Sequence, residues 1–245
     1  MLKKARKWIS NRVDTYKKAW DLAIAKVACE NGNYEKALPV FEKYAEQGLC
    51  IAQFDLGEMY ANGYCVEKDI VRAFQLYEKA AVQDYTPAQM ACGACCFEGK
   101  GTAEDHAKAL YWFEKAAEQG EACAQDLCGN MYYEGVGVAR DTEKALFWSE
   151  KAALQGEVDS QLRCARICSG DRYTDLAKAE EWLYKAVMSG EELDPLVLCA
   201  VHFELFVGWA EKVEQIAGRE DMTELKEAAR ELAATWRGTS ENPSL

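Results

Sequence analysis

Four stretches of the chain superimpose at a spacing of 36 residues: AQFDLGEMYANGYC from Ala52, AQMACGACCFEGKG from Ala88, AQDLCGNMYYEGVG from Ala124 and SQLRCARICSGD from Ser160. A second segment keeps the same period, as RAFQLYEKAAVQ from Arg72, KALYWFEKAAEQG from Lys108 and KALFWSEKAALQG from Lys144. A repeat of this length is one supersecondary element that cannot bury its apolar side alone, so copies must stack. A stack of that kind is a surface for holding another molecule, which points to binding.

Each copy reads as helix, turn, helix. Leu56, Met59 and Tyr60 sit at helical spacing in the first helix. The turns are rich in glycine, at Gly63, Gly99, Gly101, Gly135 and Gly137, where a positive φ carries no Cβ clash. The next column is Asn33, Asp69, Asp105, Asp141 and, after a two-residue deletion, Asp175. A short acceptor there caps the second helix, at about 1 kcal/mol per cap. Gly48, Asp84, Gly120, Gly156 and Gly190 end the second helices, and Ala37, Ala73, Ala109, Ala145 and Ala179 form a column of small residues. A single stack is therefore predicted over 1–237. Residues 1–32 form an opening helix and cap, 33–190 the repeats and 191–237 two closing helices, with a polar tail at 238–245. The opening helix is expected over 12–31, with Val13, Tyr16 and Trp20 turned towards the first repeat.

The net charge of −12 is unevenly spread. The first 20 residues hold seven Lys or Arg and one Asp, so the rest carries −18. An acidic body excludes a nucleic-acid backbone as ligand and favours a basic protein or peptide. No apolar run reaches the 18 residues of a membrane span. The basic N-terminal stretch lacks the apolar region of a secretory signal, so the expected compartment is the cytoplasm.

These residues resemble the Sel-1-like repeat, a branch of the tetratricopeptide superfamily. The likeness is carried by Leu56, Gly57 and Tyr60, by the turn Gly135, Gly137 and Val138 with the following Asp141, and by the helix from Lys144 through Gly156. Cys92 and Cys96 replace the Leu and Tyr in one copy, and Ala165 and Cys168 stand in the last, whose turn is shortened. The resemblance implies an all-α fold, a right-handed α-solenoid of stacked antiparallel helix pairs. It also implies an adaptor or scaffold and not an enzyme.

The eleven cysteines invite a metal or redox reading. Yet Cys92, Cys128 and Cys164 share the Leu56 column, and Cys96 and Cys168 share that of Tyr60. Cysteine here replaces core residues and packs as a small hydrophobe. No second Cys pair completes a zinc set, so no metal or cofactor is expected. Cys50, Cys65 and Cys123, at turns or helix starts, are the thiols expected to react first. His106 and His202 have no neighbouring nucleophile, and the GKGT at Gly99–Thr102 lacks the spacing of a phosphate loop. No catalytic residue is assigned.

By the resemblance, the first helix of each repeat lines a concave groove. The residues this places there are Phe54, Glu58, Met90, Phe97, Asp126, Asn130, Tyr133, Leu162 and Arg166. Phe54, Met90 and Leu162 have a competing role, closing the interface to the preceding copy. Aromatic anchors beside a few polar groups suit an extended peptide or helix. An alternative reading is a bacterial effector, virulence or toxin-neutralising protein that blocks a basic toxin. A further one is a thiol- or metal-responsive protein. The sequence leaves oligomeric state open.

Overall fold

In the computed structural model of the protein, residues 2–169 and 175–189 are described, with side chains from residue 14 on. They form ten helices and no strand. The closing helices, His202, Gly190 and the polar tail lie outside the described residues. The described residues fall into two compact units: those up to Ala124 together with Val136–Ala139, and Gln125–Gly135 together with those from Arg140 on.

In the first unit α1 (Leu2–Glu30), α2 (Tyr34–Glu46), α3 (Cys50–Asn62), α4 (Ile70–Ala81), α5 (Thr86–Glu98) and α6 (His106–Glu118) pack each against the next. The following helix, α7 (Ala122–Glu134), crosses the division between the units. In the second unit α8 (Thr142–Leu154), α9 (Val158–Ser169) and α10 (Leu176–Met188) pack in series in the same way. The described residues are all-α, built from consecutive helix pairs.

The hairpins close by one recurring bond. The N–H of Asp69, Asp105, Asp141 and Asp175 donates to the carbonyl of Tyr60, Cys96, Tyr132 and Cys168 respectively, at 2.8 to 3.0 Å. The same aspartates then cap the second helix, accepting from the N–H of Arg72, Lys108, Lys144 and Lys178. Asn33 departs from the expectation, since its side chain makes no capping bond. The turn glycines take the positive φ expected of them, and Asp84 adopts it at 59° in the column otherwise held by glycine. Cys65 does so at 55°, in the column of Gly101 and Gly137.

The alanines of the expected small column, Ala37, Ala73, Ala109, Ala145 and Ala179, are fully buried. In the first unit a glycine of the first helix brings α3 against α4 and α5 against α6. A Cβ on Gly57 would lie 2.6 Å from the Tyr77 ring, and one on Gly93 would come closer still to the Phe113 ring. The aromatic fills the volume that the missing side chain leaves.

A column of buried glutamines then ties one repeat to the next. Gln53 and Gln89 accept from Gln83 and Gln119 at 2.8 and 2.7 Å, and donate to the carbonyls of Ala45 and Ala81. Those carbonyls end the preceding second helix, where they also accept from the N–H of Gly48 and Asp84. In the second unit Gln155 donates to Gln125, and Gln161 to the carbonyl of Ala153.

The opening helix corrects one expectation. It begins at Leu2, earlier than the stretch 12–31. Tyr16 and Trp20, expected against the first repeat, are 65% and 69% exposed. Leu22 and Ala25 are buried instead, and Asp21 accepts from the Tyr44 hydroxyl of α2 at 2.5 Å. Helical geometry puts positions 22 and 25 on one stripe and 16 and 20 on another, and only one stripe can meet α2. Val13 lies outside the side chains described.

Candidate functional site

In the first unit, Phe54 is half-buried with its ring 5.5 Å from those of Tyr77 and Tyr85, so it serves packing as much as contact. Met90 is half-buried. Phe97 is 38% exposed, its ring 4.7 Å from His106 at the start of α6. His106 in turn lies 3.1 Å from Glu104, a structural setting for that imidazole.

Glu58 is half-buried and accepts from the Tyr77 hydroxyl at 2.5 Å. It opens onto a pocket of about 290 Å³ formed by α1, α2 and α3 with the turn that follows. Phe41 and Met59, both buried, form its apolar lining. Tyr34 and Tyr64 stack beside it, centroids 4.2 Å apart and planes 9° from parallel. Lys26, Cys29 and Glu30 come from α1. Its remaining member is Asp55, which was not among the groove residues expected from sequence.

The Asp55 carboxylate is largely buried, and its Oδ2 has no hydrogen-bond partner. Lys26 Nζ stands 3.6 Å from that oxygen, outside hydrogen-bonding range. Burial pushes the Asp55 carboxyl up to about 6; Lys26 pulls it down and Glu58 adds to the rise. The charged carboxylate is thus held in a place that disfavours it. The folded-state pKa lies above the unfolded value, so folding takes up a proton between about 4 and 6. Asp55 therefore weighs against stability above pH 6 and ceases to do so as the pH falls. Replacing it with Asn is expected to raise the thermal midpoint at pH 7.5, and the difference should shrink towards pH 5. Melting curves of both proteins across that range provide the check.

In the second unit, Asn130 is exposed, and Tyr133 is half-buried under the Arg140 guanidinium, 4.9 Å from the ring centre. Arg166 is half-buried, and its Nε lacks a partner. Two expectations are corrected. Leu162 is only 8% exposed and belongs to the core, the competing role the sequence had left open. Asp126 is engaged within the unit: its Oδ1 pairs with Arg163 Nη1 at 2.9 Å and accepts from Ser160 Oγ at 2.5 Å. Arg163 Nη1 also reaches Ser149 Oγ at 3.1 Å.

The cysteines follow their columns. Cys92, Cys96, Cys128, Cys164 and Cys168 are buried, while Cys65 and Cys123 are exposed and Cys50 is half-buried. Burial pushes the Cys92 and Cys164 thiols well up, and Cys95 up to about 11, away from the reactive thiolate. Among the described residues no three of His, Cys, Asp and Glu gather as a metal site. With an alkylating reagent, Cys65 and Cys123 are expected to label first. The five buried thiols should label only on unfolding, as read by mass spectrometry with and without denaturant.

Four Sel1 repeats are recognised in the sequence, at residues 50–85, 86–121, 124–157 and 159–191. The chain belongs to the Sel1 repeat family. Proteins of this family are generally interaction scaffolds. A protective antigen present in uropathogenic Escherichia coli strains, which displays an SLR fold, matches 98% of the chain at 25% identity with a TM-score of 0.68. A Sel1 repeat protein from Oxalobacter formigenes matches 64% of it at 37% identity with a TM-score of 0.56. The matches cover 50% and 46% of those two proteins, so the chain spans about half their length. The fold of this Sel1 repeat chain is accordingly the SLR α-solenoid. No curated protein matches it in sequence. Among the described residues, no helix is long and apolar enough to cross a membrane.

Proposed function

We propose that this Sel1 repeat chain is a non-enzymatic scaffold or adaptor that holds a protein or peptide against the first helices of its repeats. The observation that carries this reading is a set of side chains the buried framework does not need. Phe97, Asn130 and Tyr133 stand at first-helix positions with exposed or half-exposed surface. Glu58 joins them at the pocket of the first unit. Such aromatic and polar groups supply contact area and register for an extended partner. The −18 carried outside the first 20 residues selects a basic partner and repels nucleic acid. We place the protein in the cytoplasm, where its exposed thiols stay reduced.

A narrower role is neutralisation of a basic toxin, or another effector or virulence function. Its support is the same acidic charge, together with the likeness to a protein described as a protective antigen of uropathogenic strains. Affinity purification separates these readings. Wild type is expected to retain a basic protein that a Glu58→Lys, Asn130→Lys double variant loses. An identical set of proteins on both would contradict the scaffold reading, and a retained partner that is a basic toxin would decide for the narrower role.

A further inference from the structure

We propose that the pocket between α1, α2 and α3 receives a single lysine or arginine side chain from a polypeptide partner, with Asp55 and Glu58 taking the cation and the Tyr34–Tyr64 pair flanking its stem. This rests on the scaffold reading and gives its partner a chemistry.

Four observations converge on it. First, Asp55 Oδ2 is buried without a hydrogen-bond partner. A buried carboxylate is costly unless it is both paired and hydrogen-bonded. Lys26 gives it an ion pair at 3.6 Å but no hydrogen bond, and the lysine side chain is 47% exposed, so it can swing aside. Second, the repeat does not require an acid at this position. The same column holds Ala91, Leu127 and Arg163.

Third, the shape fits one side chain. A volume of about 290 Å³ sits at the lower edge of the range for small-molecule sites, roughly 300–1,000 Å³. The lining divides into an apolar part, Phe41 and Met59, and a carboxylate part, matching a cation on an aliphatic stem. The stacked tyrosines add a π face at the rim, which favours a guanidinium or ammonium. Fourth, the second unit shows the same chemistry satisfied from within. There a guanidinium, that of Arg163, meets Asp126 and two serine hydroxyls.

The titratable groups around Asp55 are Lys26, Cys29 and Glu30 from α1, Tyr34 from α2, Glu58 from α3, Tyr64 from the turn and Tyr85 just before α5. Asp55 loses its charge as the pH falls through about 6, where burial holds its carboxyl. Capture should therefore weaken between pH 7 and pH 5.

The test is an NMR titration of the full chain, isotope-labelled at methionine methyls and tyrosine rings. The probes are three blocked Gly-Ser heptapeptides differing only in a central arginine, lysine or norleucine. The arginine and lysine peptides are expected to shift Met59 and Tyr64, and the norleucine peptide to leave them unmoved. Asp55→Asn should weaken binding about tenfold, the value of one charge-assisted hydrogen bond, while melting no lower than wild type. Equal shifts with norleucine overturn the proposal. So do shifts unchanged in Asp55→Asn, and shifts spread evenly over the acidic surface. A partner protein that contacts the first helices while none of these peptides binds would sink the pocket and leave the scaffold standing. Peptide binding with no partner on those helices would do the reverse.

Discussion

Asp126→Ala is expected to destabilise the second unit by about 3 kcal/mol, because it strands a buried guanidinium. Arg163 is 8% exposed, and its bonds to Asp126, Ser149 and Ser160 satisfy a charge that water hardly reaches. The rest of the chain shows how unusual this cluster is. The Asp126 column otherwise holds Phe54, Met90 and Leu162, and the Ser149 column holds Tyr77 and Phe113. Ser160 stands where the other copies carry Ala52, Ala88 and Ala124. Four neighbouring positions have thus exchanged apolar packing for one polar network. Restoring the consensus at two of them, as Asp126→Met with Arg163→Leu, is expected to recover most of the loss, since a buried ion pair rarely outperforms well-packed apolar groups. Denaturant melts of Asp126→Met, Arg163→Leu and the double variant give the coupling directly. A loss below about 1 kcal/mol for Asp126→Ala would place the pair at the surface.

Gly101→Ala should cost about 3 kcal/mol, combining left-handed backbone strain with overpacking. Gly101 has φ +73°, and an added Cβ would come within 2.9 Å of the Ile70 carbonyl carbon and closer still to its oxygen. Both are backbone atoms at the start of α4, so no side chain can move aside. Gly120 isolates the strain: its φ is +94° but nothing lies within 4 Å of an added Cβ. Gly120→Ala should therefore cost only about 1 kcal/mol. Cys65, in the Gly101 column and already at φ 55°, supplies the opposite sign. Cys65→Gly is expected to leave stability unchanged or raise it, because relief of strain offsets the added chain entropy. Equal losses at Gly101 and Gly120 would mean that repeat-to-repeat contact at this turn carries no energy.

The features that were legible in the sequence are those whose cause is local. An aspartate at a helix start caps that helix whatever lies around it, and four of the five predicted caps form. Positive φ at the turn glycines and burial of the alanine column follow from the same repeat spacing. Misreadings arose where a partner lies a whole repeat away. Asp126 was placed in a groove because a polar residue at a first-helix position reads as exposed. Its partner is 37 residues further on. A signal existed in the simultaneous departures at Ser149, Ser160 and Arg163. The glutamine column was visible as the Gln of each AQ or SQ, yet its role depends on Gln83, Gln119 and Gln155 reaching back across the repeat. The position of Glu58 on the first-helix face is legible because it obeys the period. The burial of Asp55 is not, because its surroundings come from α1, which has no register with the repeats. The exposure of Tyr16 and Trp20 has the same origin, since nothing periodic says which stripe of an opening helix meets its neighbour.

Site-specific photocrosslinking measures the central claim most directly. A benzophenone amino acid is placed singly at Phe97 and Asn130 on first helices, and at Tyr111 and Phe147, which are 52% and 51% exposed on second helices. The account predicts that a bound protein partner is trapped from positions 97 and 130 and not from 111 and 147. Trapping from 111 and 147 alone would put the partner on the opposite helices and contradict it.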